Sequence, residues 1–230
     1  MKRGWFVTGT DTGVGKTLVA TSLLLAYRQA GSTAGMKPVA SGCERVAGRW
    51  ENADAQALLT HSSAQVDYDV VNPYAFEPAV APHLAAQQCG IEIECATILR
   101  CFALLRARAD TVIVEGVGGW HVPLGAQLTM AEVAYALALP VILVVGMRLG
   151  CLNHALLTQE SIQAHGLTLV GWVANEITPN MPLFGENVAA LEQRLRAPNL
   201  GVIPHTFAGL PHPQACYLNT ALLGDFSPQF

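Results

Sequence analysis

The chain has 230 residues, 51% of them hydrophobic and only 13% charged, with 13 Lys+Arg against 17 Asp+Glu for a formal net charge of -4. This length suits one domain or at most two with a core large enough to need no staples, and an acidic balance without a Lys/Arg cluster excludes nucleic-acid and anionic-membrane partners. The charged fraction is about half the ~25% usual for soluble domains, so either much of the surface is apolar or small, or a partner covers a large face.

The basic start Met1-Lys2-Arg3-Gly4 leads into Trp5-Phe6-Val7, an apolar run too short for a signal-peptide core, so a cytoplasmic location is expected. Trp5 to Thr8 reads as a strand, Leu18 to Gln29 as a helix closed by Gly31, and Ala34 to Val39 as a second strand. A polar, Pro-rich region follows from Gly42 to His83. A helix then runs from Ala96 to Arg108, a strand from Thr111 to Val114, and a helix from Met130 to Leu139. Val133 to Met147 is the most apolar stretch, but Pro140 divides it into a helical half and the strand Val141 to Val145, neither near the ~20 residues of a membrane span. A helix from Asn153 to His165 closed by Gly166, a strand from Leu169 to Ala174, a helix from Asn187 to Leu195 and a short strand from Gly201 to Ile203 complete the pattern.

Apolar strands alternating with helices predict an α/β fold with a mostly parallel sheet covered on both faces, in one domain spanning 1–230. Ligands of such sheets sit beyond the carboxyl ends of the strands. The six cysteines (Cys43, Cys89, Cys95, Cys101, Cys151, Cys216) form no C-x-x-C pair and are expected to be free, mostly buried thiols.

The first strand runs into Gly9-Thr10-Asp11-Thr12-Gly13-Val14-Gly15-Lys16-Thr17 and then a helix, the context of a phosphate-binding P-loop. Its glycines let backbone N–H groups turn toward phosphate oxygens, Lys16 reaches the β/γ-phosphates and the Thr17 hydroxyl ligates Mg2+. The strict pattern would put its first glycine where Thr10 stands, so this is a variant loop. A nucleoside triphosphate with Mg2+ follows. Glu115 ends the third strand before Gly116-Val117-Gly118-Gly119, the place for a second nucleotide motif and a metal carboxylate. Asp54 is a second candidate ligand, although alone it reads more readily as a helix cap than as a ligand. Lys37 follows Gly35-Met36 at the end of the second strand and points toward the same crevice, although position alone favours a solvated strand-end lysine at least as much; Ser41-Gly42 beyond it offers a hydroxyl and a close backbone approach.

Gly9-Thr-Asp-Thr-Gly-Val-Gly-Lys-Thr17, Lys37-Pro-Val-Ala-Ser-Gly42, Asn52-Ala-Asp54, Asn72-Pro-Tyr74, Pro82-His83, Val114-Glu-Gly-Val-Gly-Gly-Trp120, Leu149-Gly-Cys-Leu-Asn-His154 and Gly171-Trp-Val-Ala-Asn175 together resemble the dethiobiotin synthase family, in order and spacing, from about Trp5 to Pro204. The resemblance implies a P-loop fold and an ATP-dependent ligase that joins 7,8-diaminopelargonate and CO2 into dethiobiotin through a carbamate and a carbamic-phosphoric anhydride. It implies Lys16 and Lys37 as catalytic residues, with Lys37 on the carbamate and the migrating phosphoryl. Thr17, Asp54 and Glu115 would hold Mg2+, while Thr12 and Ser41 would contact the carbamate or diamine. The nucleotide would lie along Gly13, Val14, Gly15, Leu18, Gly116, Val117 and Gly118, its base read by Asn175 and Glu176 and by the Pro204-His205-Thr206 loop. Asn153, in a helix amino terminus, would meet the substrate carboxylate of the partner subunit in a homodimer. Gly13 stands where some members have an acidic residue, and the chain follows the family pattern poorly after Pro204 and from Pro179 to Asn187. Two alternatives share the loop: an ATPase switch of the partitioning or cell-division type, and an amide-ligase domain of the cobalamin pathway.

Overall fold

The computed structural model describes residues 2–205 and 213–224. Six strands form one parallel sheet in the order β10-β9-β8-β1-β7-β2: β1 (Arg3–Gly9), β2 (Thr33–Met36), β7 (Thr111–Glu115), β8 (Val141–Gly146), β9 (Leu169–Asn175) and β10 (Asn199–Ile203). β7 and β8 flank β1, so the strand order reverses at the strand that feeds the phosphate loop, the switch point where a crevice opens.

Alternation along β1 shows why the strands are apolar throughout. Trp5 and Val7 pack on one face with Ile113, Ile142 and Val173, while Phe6 packs on the other with Val114, Leu143 and Trp172. α1 (Lys16–Tyr27) and the short turns at 215–217 and 220–223 cover the first face. α5 (Cys95–Arg108), α6 (Met130–Leu137), α7 (Cys151–Ala164) and α8 (Phe184–Glu192) cover the second. Thr129 opens α6 with a capping box, its backbone N–H donating to Glu132 Oε2 at 2.7 Å.

One expectation needs correction. The second strand does not run from Ala34 to Val39; it stops at Met36, because Pro38 has no N–H for a ladder. The chain changes partners there, and β3 (Val39–Ser41) pairs in parallel with β6 (Tyr74–Phe76) in a separate two-stranded sheet. The polar, Pro-rich region from Gly42 to His83 is structured. It holds a hairpin of β4 (Glu44–Val46) and β5 (Arg49–Glu51), turned through Ala47 and Gly48 at φ 49° and 88°, and the helices α2 (Ala53–His61), α3 (Tyr68–Val71) and α4 (Pro82–Gln88). Its elements are short and carry little hydrophobic periodicity, so tertiary packing decides them.

All six cysteines are free; Cys43 and Cys151 are buried, whereas Cys89 and Cys216 are exposed, so burial is less general than expected. No helix among the described residues is long and apolar enough to cross a membrane.

Buried Asn72 joins the two sheets: its side-chain amide donates to the carbonyls of Lys37 (2.7 Å) and Tyr74 (3.2 Å), and its oxygen accepts from the Tyr68 hydroxyl (3.1 Å). Asn72→Ala orphans buried carbonyls and is expected to lower unfolding stability by about 1–3 kcal/mol in urea denaturation, with the slope unchanged.

Candidate active site

The loop after β1 begins as the sequence demands. Gly15 takes φ 93° immediately before α1, a left-handed conformation costly for other residues, and a Cβ there would strike the Asn175 side chain. Val14 is buried behind the loop, and its carbonyl accepts from Asn175 Nδ2 at 2.8 Å. β9 thus grips the phosphate loop directly. Lys16, 6% exposed, folds back so that its ammonium donates to the Asp11 carbonyl at 2.8 Å.

Facing it is a compact charged group. Lys37 Nζ lies 2.6 Å from Glu115 Oε1, 2.9 Å from Asp54 Oδ2 and 3.3 Å from the Gly116 carbonyl. The Thr17 hydroxyl donates to the same Glu115 oxygen at 2.9 Å, and the other carboxylate oxygen, Oε2, is buried without a hydrogen-bond partner among the described residues. Separate elements deliver these groups. Lys37 is fixed because its N–H donates to the Val71 carbonyl (2.8 Å) while Asn72 holds its carbonyl. Asp54 sits in the first turn of α2 and is not the cap: Asn52 caps the helix, accepting from the Asp54 N–H at 3.0 Å, so the aspartate is free to face Lys37.

Burial disfavours the Lys37 ammonium, but the charges and hydrogen bonds of Glu115 and Asp54 outweigh it and hold its pKa above the ordinary lysine value. Burial also raises the Asp54 carboxyl, yet Lys37 wins and leaves it lowered. Fully enclosed, Glu115 is raised by burial despite Lys37, and Asp54 adds to the rise. Burial first, then the neighbouring Lys37 charge, brings Lys16 down to about 8.

These residues line one cavity of about 670 Å3, within the ~300–1,000 Å3 usual for small-molecule sites. Thr12, Ser41, Val117 and Gly118 line it near the charged group, with Gly13, Gly15 and Leu18 along the loop. Asn175, Glu176, Pro204 and His205 line the far end, where the Glu176 carboxylate accepts from the His205 N–H at 3.1 Å. Gly116 is outside the lining but contributes its carbonyl to Lys37. Asn153 lies apart, exposed in the first turn of α7, whose cap is Gly150 at φ 94°. Thr206 lies outside the described residues.

Sequence reasoning missed Thr21 and Ile177 in the lining and the Asn52 cap; Ile177, two residues past β9, was accessible to the rule that ligands gather beyond strand ends. It also missed the pairing of Asp11 with Arg148, whose charges meet at 2.6 Å across 137 residues.

Comparison with known proteins agrees with this architecture. A family model described as an AAA domain matches residues 3–207. A protein of Aromatoleum aromaticum named ATP-dependent dethiobiotin synthetase is 54% identical over 217 residues, covering 94% of this chain and 96% of its own. One of the same name from Pseudomonas aeruginosa is 50% identical, covering 96% and 97%. Among solved structures, a ParA family ATPase from Chlorobium tepidum (TM-score 0.56, 15% identity, 90% of this chain and 87% of that one) shares the fold. So does the septum site-determining protein MinD of Pyrococcus horikoshii (TM-score 0.54, 15% identity, 90% and 82%).

A triphosphate reaching Lys16 favours its charged form, so above about pH 8, where the unliganded amine loses its proton, nucleotide binding is expected to take up a proton and weaken as pH rises. Calorimetric titrations in two buffers of different ionisation enthalpy check this; identical heats would contradict it.

Proposed function

The chain belongs to the ATP-dependent dethiobiotin synthetase family, and from that premise we propose that it closes the ureido ring of dethiobiotin from 7,8-diaminopelargonate, CO2 and ATP. It is an ATP-dependent ligase of biotin biosynthesis. One amine of the substrate adds to CO2 and loses a proton, giving a carbamate. A carbamate oxygen attacks the γ-phosphorus with departure of ADP. The second amine then attacks the carbonyl carbon of the anhydride and loses a proton, phosphate leaves, and the ring closes.

The observation that carries this reading is the buried Lys37 beside Asp54 and Glu115, facing Lys16 and Thr17 in one cavity. An ordinary P-loop hydrolase needs a cradle for phosphates; a second enclosed ammonium suits a second anion, the carbamate, and the charge moving between it and the γ-phosphoryl. Lys16 takes the β/γ-phosphate oxygens, while Thr12 and Ser41 offer hydroxyls to the carbamate or diamine. Asn175, Glu176, Pro204 and His205 form the base end.

Thr17, Asp54 and Glu115 suit Mg2+, because all three present hard oxygen donors and Glu115 keeps a buried oxygen without a partner among the described residues. Bound there, Mg2+ supplies charge neutralisation on the triphosphate.

We read 1–230 as one catalytic domain working in the cytoplasm as a homodimer. Leu149, 98% exposed at the β8–α7 turn, and Leu157, 56% exposed on α7, give an apolar surface beside Asn153 that a second copy would cover. On this reading Asn153 meets the carboxylate of the partner's substrate, which explains its distance from its own cavity.

Purified protein is expected to release ADP and form dethiobiotin, followed by mass spectrometry, only with diamine, bicarbonate and Mg-ATP together. Diamine-independent turnover without dethiobiotin would refute the proposal. Lys37→Ala should keep ATP binding and lose at least about 100-fold in kcat, as expected when a charge-stabilising group is removed. Sedimentation equilibrium should give the mass of two chains, and Leu157→Asp should shift it toward one.

A further inference from the structure

Asp11 is a carboxylate inside a loop read as a cradle for a triphosphate, and a free negative charge there would repel the ligand. Its side chain is engaged at both oxygens. Oδ1 accepts from the Thr12 N–H at 2.8 Å, and Oδ2 accepts from Arg148 Nη2 at 2.6 Å. The Asp11 carbonyl meanwhile accepts from Lys16 Nζ. One residue thus holds two groups assigned to the site, and its charge is met by an arginine from the far side of the switch point.

Arg148 follows β8, whose end is stitched to the same loop. Thr10 N–H donates to the Val144 carbonyl at 3.0 Å, and Gly146 N–H donates to the Thr10 hydroxyl at 3.3 Å. The Arg148 and Asp11 side chains are 42% and 50% exposed, and an ion pair so wet contributes little to folding stability. Its effect is local. A single unneutralised carboxylate within the cradle changes the potential felt by a ligand of several negative charges far more than it changes the fold.

We propose that Arg148 is a positioning residue of the nucleotide site: it neutralises Asp11, so that the loop keeps Thr12 and Lys16 in place without presenting a negative charge to the triphosphate. The inference rests on the reading of the loop as a triphosphate cradle given above, and on no later step of the reaction. Asparagine at position 11 separates charge from geometry, because its amide oxygen can still accept the Thr12 N–H while the carboxylate charge is gone.

The test is calorimetric titration of Mg-ATP into wild type, R148A, R148K, D11N and D11N/R148A, with thermal unfolding of each. R148A should bind ATP about tenfold more weakly, the scale of one uncompensated charge near a partly solvated site. R148K should retain most of the affinity. D11N/R148A should recover to within about threefold of wild type, and all variants should unfold within about 2 °C of one another. Wild-type affinity in R148A, or failure of D11N to rescue it, overturns the proposal; loss of affinity accompanied by a lowered melting point in R148A and R148K alike does so too. Product analysis keeps the two readings apart: a wild type that binds ATP but makes no dethiobiotin removes the proposed reaction and leaves this inference standing.

Discussion

A lysine ammonium with almost no solvent cannot remain charged unless carboxylates meet it, and Lys37 is such a group, 2.6 Å from Glu115 and 2.9 Å from Asp54. The pairing constrains three elements at once. β7 must end so that Glu115 faces inward, α2 must start where Asp54 can reach, and the chain must leave β2 at Lys37 rather than continue the strand. Removing Lys37 would leave the buried Glu115 carboxylate without its ammonium, so this pair is far more determined than a surface ion pair. Asn72, Asn52 and Pro38 serve it at one remove, by holding the lysine backbone, releasing the aspartate from capping and ending β2.

The sheet supplies the other fixed frame. β1 lies between β7 and β8, so the loop that follows it is supported on one side by the strand bearing Glu115 and on the other by the strand leading to Arg148. β9 adds Asn175, whose amide holds the Val14 carbonyl. Groups from distant parts of the sequence therefore converge on one cavity. The phosphate loop itself can be rigid because its supports are backbone ladders buried on both faces.

Much of this was legible in the sequence because local rules sufficed. Gly13-Val14-Gly15-Lys16-Thr17 between a strand and a helix announces a phosphate loop, and the runs Thr111 to Val114 and Val141 to Val145 announce buried parallel strands. The segment between Gly42 and His83 was not legible. Its helices α3 and α4 are four and seven residues long, β3 and β6 three each, and none carries enough periodicity to announce itself. Tertiary contacts decide them: α3 packs on β2 and α5, and α4 packs on the β3–β6 pair. Nothing local to Asp11 or Arg148 foretells their meeting either; both read as ordinary charged loop residues until β8 is laid beside β1.

The low charge content, one of the first features of the chain, has a physical meaning in this setting. Strands covered on both faces require apolar residues at every position, and exposed leucines such as Leu149 add to the total. The sequence by itself determined the class of fold, the phosphate loop and the chemical inventory of two lysines, two carboxylates and a threonine, since these depend on local pattern and residue type. Only the tertiary structure decided that Lys37 answers to Asp54 and Glu115, that Asn52 rather than Asp54 caps α2, and that Arg148 meets Asp11. The Lys37 and Arg148 pairings join residues 17 to 137 apart, where distance in space follows from strand order and not from spacing along the chain, while the Asn52 cap is a local contact that residue types alone left undecided.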